Sequence, residues 1–249
     1  MSGPDERIVA VRALIAEQDL AGAVDGVVGW LRRLCVAAAR TVPASGVGVS
    51  VMSQEGIRGV AAASDPASET LEELQFTMGE GPCIDAFASR RVVLEPDLSN
   101  GASARWLAYA PAARAQGVAA VFAFPLQIGA ARLGVMDVYR HSPGPLSDES
   151  LAQALTFAEV AVETLLDAQG KAVVGEAAEG LDRALDSHYA IYQAQGMTMV
   201  DLGAPLADAL ARLRAHAYAH DRPLQEVARD IVAGRLRLQP DPPDQLGSP

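Results

Sequence analysis

The stretch LDRALDSHYAIYQAQGMTMVDLGAPLADALARLRAHAYAHDRPLQEVARDIVAG, residues 181–234, reads as three helical segments separated by short turns. The second segment, 205–219, places Leu206, Leu210, Leu213 and Ala217 on one face, at spacings of four, three and four. The third, 223–233, carries Leu224, Val227, Ala228, Ile231 and Val232 as a single stripe. Both are amphipathic helix patterns. Pro205 and Pro223 suit the first turn of a helix, where a missing N–H costs little. Three short helices with one apolar stripe each can share one small core.

The order of residues in this stretch carries a resemblance. Ile191-x-x-Ala194-x-Gly196-Met197-x-Met199, then Ala209-Leu210-x-x-Leu213-Arg214-x-x-Ala217, then Leu224-x-x-Val227-Ala228 resembles the ANTAR family. That family consists of three-helix RNA-binding modules of bacterial transcription antiterminators. The resemblance implies an RNA hairpin as partner, with His188, Tyr192, Gln195, Gly196, Arg214 and Tyr218 as RNA-binding residues. At His188 and Gln195 the family carries a basic residue and a lysine, where a positive charge would meet RNA. Tyr189, Tyr192 and Tyr218 suit stacking on unpaired bases, or packing in the core. Arg212, Arg214, Arg222 and Arg229 suit phosphate contact, or the balancing of Asp208, Asp221, Glu226 and Asp230 on a solvated face. Two alternatives stay open: a degenerate module that binds protein, and a DNA-binding module, since three small helices also suit a helix-turn-helix.

Upstream, composition bounds the rest. The chain has 249 residues, half of them hydrophobic and 20% charged, with ample length for one large or two small domains. No apolar run reaches a membrane-spanning length and no signal pattern opens the chain, so a cytoplasmic location is expected. Cys35 and Cys83 are too few for a disulfide framework and are expected as reduced thiols. The net charge of −11 argues against a protein that coats nucleic acid. It is uneven: residues 1–180 hold 22 acids and 13 bases, whereas residues 181–238 hold 7 of each.

In chain order, the pattern predicts a helix around residues 8–15 and a longer one from Val24 to near Pro43, then a hairpin from 46–52 and 59–63 with a turn at Gln54, Glu55 and Gly56. A helix at 66–78 is broken by Gly79-Glu80-Gly81-Pro82, and a short helix is expected over 83–87. A short strand at 91–94, a loop at 95–104, a helix at 105–116 and strands at 119–128 and 132–139 follow. Ser147 caps a helix whose Leu151, Leu155, Ala158, Val162 and Leu165 form a coiled-coil-like seam, from which a homodimer is expected. The order is α+β: an antiparallel sheet flanked by helices, followed by a small all-α module.

A second resemblance lies here. Gly79-Glu80-Gly81-Pro82-Cys83-x-Asp85-Ala86, Asp97-Leu98, Arg105-Trp106, Phe124-Pro125-Leu126 and Gly134-x-Met136-x-Val138-Tyr139 together resemble a GAF domain of the type fused to ANTAR modules. It implies a sensory domain with a ligand pocket over one sheet face. The expected organisation is a GAF-like domain at 20–169, a linker at 170–180, the three-helix domain at 181–236 and a disordered tail at 237–249.

Cys83, Asp85, Trp106, Phe124, Asp137 and Tyr139 are the candidate ligand-binding residues. Cys83 reads either as a buried small hydrophobe or as a redox-sensing or ligand-touching thiol. Asp85 and Asp137, if buried, need partners. His141 is the only histidine in residues 1–180, so haem is not the expected ligand, and the cofactor stays unknown. His216 and His220 have a metal-compatible spacing without an evident third ligand, and no metal site is expected there. No catalytic set stands out, so no enzyme is expected. Together the two resemblances imply a signal-responsive transcription antitermination regulator.

Overall fold

In the computed structural model, residues 3–19, 26–53, 56–173, 179–220 and 222–239 are described. Val24, the turn residues Gln54 and Glu55, the centre of the expected 170–180 linker and most of the expected tail lie outside them. The chain divides into two units, Met1–Leu185 and Asp186–Pro249, each taken by itself below.

The first unit is built on a five-stranded antiparallel sheet. Its strands are β1 (Gly46–Ser53), β2 (Gly56–Ala63), β3 (Val93–Glu95), β4 (Ala120–Ile128) and β5 (Ala131–Arg140), in the order β2-β1-β5-β4-β3. Both faces are covered. Helices α1 (Pro4–Ala16), α2 (Val27–Thr41) and α7 (Asp148–Val173) cover one face. There Leu31, Leu34, Phe122, Phe124, Met136 and Phe157 are buried together. Each such side chain contributes about 2–3 kcal/mol by leaving water. Helices α3 (Pro66–Met78), α4 (Pro82–Ser89), α5 (Ala102–Arg105) and α6 (Tyr109–Ala115) lie with the other face, where Phe76, Cys83, Trp106, Tyr109, Val135 and Tyr139 are buried.

Two expectations shift. The helix expected at 105–116 is split into α5 and α6, and α5 begins inside the expected loop. The cause is a long-range cap: Glu80 Oε1 accepts from the N–H groups of Ala108, at 2.6 Å, and Tyr109, at 3.0 Å. A carboxylate at these two amides starts a fresh helix there. The α7 seam is also turned. Ala158, Val162 and Leu165 are buried in the chain's own core beside Ala154, Phe157 and Ala161, while Leu155 is exposed.

The second unit contains the end of α8 (Glu179–Leu202), α9 (Leu206–Ala219) and α10 (Leu224–Val232). Pro205 and Pro223 stand one residue before their helices, as N-caps. Ile191, Ala194, Leu213, Ala217, Leu224, Val227, Ala228 and Ile231 form the core. Leu206, expected on the buried stripe, is half exposed because it starts α9 at the margin of that core.

Candidate functional site

Helix α3 sets up the site. Asp65 caps it, accepting from Ser68 N at 3.0 Å, and Pro66 occupies its first turn. Gly79 ends it in the left-handed conformation, with φ 71°. Between these stops Ser68, Leu71, Glu72, Gln75 and Phe76 are buried. The inward face therefore carries a carboxyl and a carboxamide three residues apart, as neighbours one turn apart must lie. Strand β5 presents Asp137 and Tyr139, two residues apart and so on one face. Strand β1 supplies Ser50 and the bare backbone of Gly48, which pairs with Asp137. A Cβ at Gly48 would collide with the Glu72 carboxyl group.

Glu72, Gln75, Cys83, Asp137 and Tyr139 thus meet in a buried nest between helices and sheet. Tyr139 OH donates to Glu72 Oε1 at 2.7 Å, and Ser50 Oγ donates to Glu72 Oε2. Gln75 holds three groups at once. Its Oε1 accepts from Cys83 N at 2.8 Å, and its Nε2 donates to Asp137 Oδ2 at 2.8 Å and Tyr139 OH at 3.2 Å. Gly81, at φ 141°, brings α4 close enough for that bond, and a Cβ there would strike Gln75. Cys83 Sγ lies 3.9 Å from Met52 Sδ. Among the described residues, Asp137 Oδ1 and Tyr109 OH are buried without a hydrogen-bond partner.

Among the described residues, the nest holds two carboxyls with no cation beside them. Burial, then the charge of Glu72, pushes Asp137 well above the carboxylate range. Burial also raises Glu72, against the pull of the Ser50 and Tyr139 donors. Glu72 has two hydroxyl donors and is the better home for the negative charge; Asp137, with one bare oxygen, is the better home for a proton. Cys83 is pushed well up by burial, then by Asp137 and Glu72, so its thiol is protonated and a poor nucleophile. Burial likewise raises Cys35, which lies on the opposite sheet face.

Of the ligand-binding residues expected from sequence, Cys83, Asp137 and Tyr139 come together here. Trp106 is buried on the same sheet face, and its Nε1 donates to Asp85 Oδ2 at 3.1 Å. Asp85 is half buried and pairs with Arg105 at 2.8 Å, outside the nest. Phe124 lies on the opposite sheet face. Glu72, Gln75 and Tyr109 were not expected. The signal for the first two is that Ser68, Leu71, Glu72, Gln75 and Phe76 form one helical stripe with polar members.

In the second unit, Tyr192 is partly exposed, Tyr189 and Tyr218 are well exposed, and Gly196 is half buried. Gln195 is buried, and its Nε2 donates to the Leu206 carbonyl at 2.8 Å, tying α8 to the start of α9. Arg214 is half buried, and desolvation lowers its pKa. The side chain of His188 lies outside the described residues. His216 and His220 stack with ring centroids 4.0 Å apart. Arg222 and Arg235 hold Asp230 at 2.6 and 2.7 Å.

A helix-flanked antiparallel sheet with a polar interior is followed by a three-helix unit. A family model described as GAF domain matches residues 30–166, and one described as ANTAR domain matches residues 179–232. The chain belongs to the GAF domain family and carries an ANTAR domain after it. Among solved structures it is similar to the GAF domain of a phosphoenolpyruvate-protein phosphotransferase from Acinetobacter (12% identity, TM-score 0.50, covering 71% of this chain and all of that one). The corresponding domain from Coxiella burnetii matches at 15% identity and TM-score 0.50, covering 69% of this chain and 99% of that one. The free methionine-R-sulfoxide reductase from Neisseria meningitidis matches at 13% identity and TM-score 0.43, covering 66% of this chain and 92% of that one. No curated protein matches the chain. Among the described residues no helix is long and apolar enough to cross a membrane.

Proposed function

We propose that this chain is a cytoplasmic, signal-responsive transcription antitermination regulator. Its GAF domain takes a small non-haem ligand, and its ANTAR module binds an RNA hairpin. The observation that carries the RNA reading is the set of exposed tyrosines, Tyr189, Tyr192 and Tyr218, on a module that matches the ANTAR family model. Exposed aromatic rings gain nothing from burial, and single-stranded RNA loops are read by stacking on such rings. The retained RNA-facing set is Tyr192, Gly196, Arg214 and Tyr218, with His188 from the sequence resemblance. Gln195 belongs to the packing between α8 and α9. The chain acts without a catalytic step of its own, a reading supported by the protonated state of both buried thiols. It works as a homodimer through the outer edge of α7, where Leu155 is exposed.

A second reading, a module that binds protein, is favoured by the neutral charge of residues 181–238 and by the inward turn of Gln195. Titration of the full chain with a hairpin RNA and with duplex DNA of matched length separates the readings. The antiterminator reading expects hairpin binding well above duplex binding. Equal affinity for both would favour a DNA-binding regulator, and binding to neither would favour the protein-binding module.

A further inference from the structure

We propose that the nest between α3, α4 and β5 is a binding site for a dication of the zinc class, ligated by Cys83 Sγ and by one carboxylate oxygen each from Glu72 and Asp137. The three donor atoms lie within 4.8 Å of one another, and all three residues are buried. A tetrahedral ion with bonds of about 2.0–2.3 Å spaces its ligands by about 3.3–3.8 Å. Rotamer adjustments of about 1 Å or less therefore close the site around an ion. One thiolate with two carboxylates suits a borderline metal; magnesium and calcium take oxygen ligands in larger number.

Two further features point to a ligand. Asp137 Oδ1 and Tyr109 OH are buried and have no hydrogen-bond partner. An unmet buried polar atom costs about 1–3 kcal/mol, so it marks a place where something is expected to bind. Asp137 Oδ1 belongs to the ligating carboxyl itself. Tyr109 is buried with Cys83 and Tyr139 on the same sheet face, and burial, then the charges of Asp137, Glu72 and Cys83, raises its pKa.

The surroundings already have the form of an outer shell. Tyr139 and Ser50 orient Glu72, while Gln75 orients Asp137 and anchors the Cys83 backbone. Metal ligands need such outer partners, whose loss weakens binding about 10–100-fold. A dication supplies the positive charge that two buried carboxyls call for, and any protons on the ligating atoms leave to solvent as it binds. No electron is transferred.

The claim concerns metal binding alone and does not depend on what the ANTAR module binds. The test is titration of the full chain with cobalt(II), followed by the thiolate-to-cobalt charge-transfer band and its displacement by zinc. One equivalent should develop the band. Cys83→Ser should abolish it, and Asp137→Asn should weaken cobalt binding at least about tenfold. Tyr139→Phe, which removes only an outer partner, should weaken it about tenfold while keeping the band. A double His216→Ala/His220→Ala variant should leave the band and stoichiometry unchanged. Absence of the band in the wild-type chain would overturn the proposal, as would an unchanged band in Cys83→Ser.

Discussion

The acids of the two units are treated in opposite ways. In the GAF unit Glu72 and Asp137 are buried with hydroxyl and amide partners and, among the described residues, no cation, and their pKa values are raised. In the ANTAR unit Asp230 sits near the surface between Arg222 and Arg235, whose hydrogen bonds lower its pKa. Burial without a counter-charge stores cost in a place where a ligand can relieve it. Pairing at the surface removes the cost and leaves little to switch. The difference separates a sensor interior from an output scaffold.

The largest effect should come from Gln75. Gln75→Ala removes the amide donor from Asp137 and strands the Cys83 amide. At about 1–3 kcal/mol for each buried group left unmet, a loss of about 3 kcal/mol or more is expected. Urea denaturation should show it in the GAF transition and leave the ANTAR transition unmoved. Equal loss in both would break the comparison.

The pH dependence should differ in sign. Asp137 has a raised folded pKa, so the folded state keeps a proton that the unfolded state releases. Its contribution to stability therefore falls as pH rises above the unfolded value of about 4, and levels off only beyond the folded pKa. Asp230 has a lowered folded pKa. Its contribution is present above about 4 and is lost as pH falls through the folded value. With a chelator present, thermal melts should show Asp137→Asn removing a decline of GAF stability toward high pH. Asp230→Asn should remove a small gain of ANTAR stability above pH 4 and no more. Parallel pH profiles for the two variants would contradict the assignment.

The smallest effect on stability is expected at Leu155. It is exposed on α7, so Leu155→Glu should change stability by no more than about 0.5 kcal/mol. Light scattering should nevertheless show a shift from dimer to monomer. Val162 is unsuitable for this test, because its burial against the sheet makes a charge there destabilising for reasons unrelated to assembly. A Leu155→Glu protein that stays dimeric would place the interface elsewhere.

These contrasts also mark what the sequence makes legible. Helix α3 was readable to its ends, because Asp65, Pro66 and Gly79 are local signals. Asp137 was visible as an acid inside the apolar run Val135-Met136-Asp137-Val138-Tyr139. Phe124 was assigned to the pocket because β4 is buried on both faces along most of its length, so its apolar run carries no record of which residues face which way. Glu72 and Gln75 carry no local signal of burial, because glutamate and glutamine on a helix usually face water. Their inward turn follows from partners on β1, α4 and β5, far away in sequence. The split between α5 and α6 depends on Glu80, another distant partner. The α7 seam was ambiguous because two adjacent stripes both fit a helical period. Gln195 was read by family position alone, and its burial depends on a carbonyl at the start of the next helix.

The output side of the account turns on RNA. The most direct measurement is hairpin RNA affinity of the full chain at several salt concentrations, for wild type and Tyr192→Ala. With about two or three arginines in reach, log affinity should fall against log salt with a slope of roughly −1.5 to −2.5. Tyr192→Ala should weaken binding by about 1–3 kcal/mol, as loss of one stacked base does, and leave the slope unchanged. A steep slope with no effect of Tyr192→Ala, or no hairpin binding at any salt, would contradict a stacking-based RNA output.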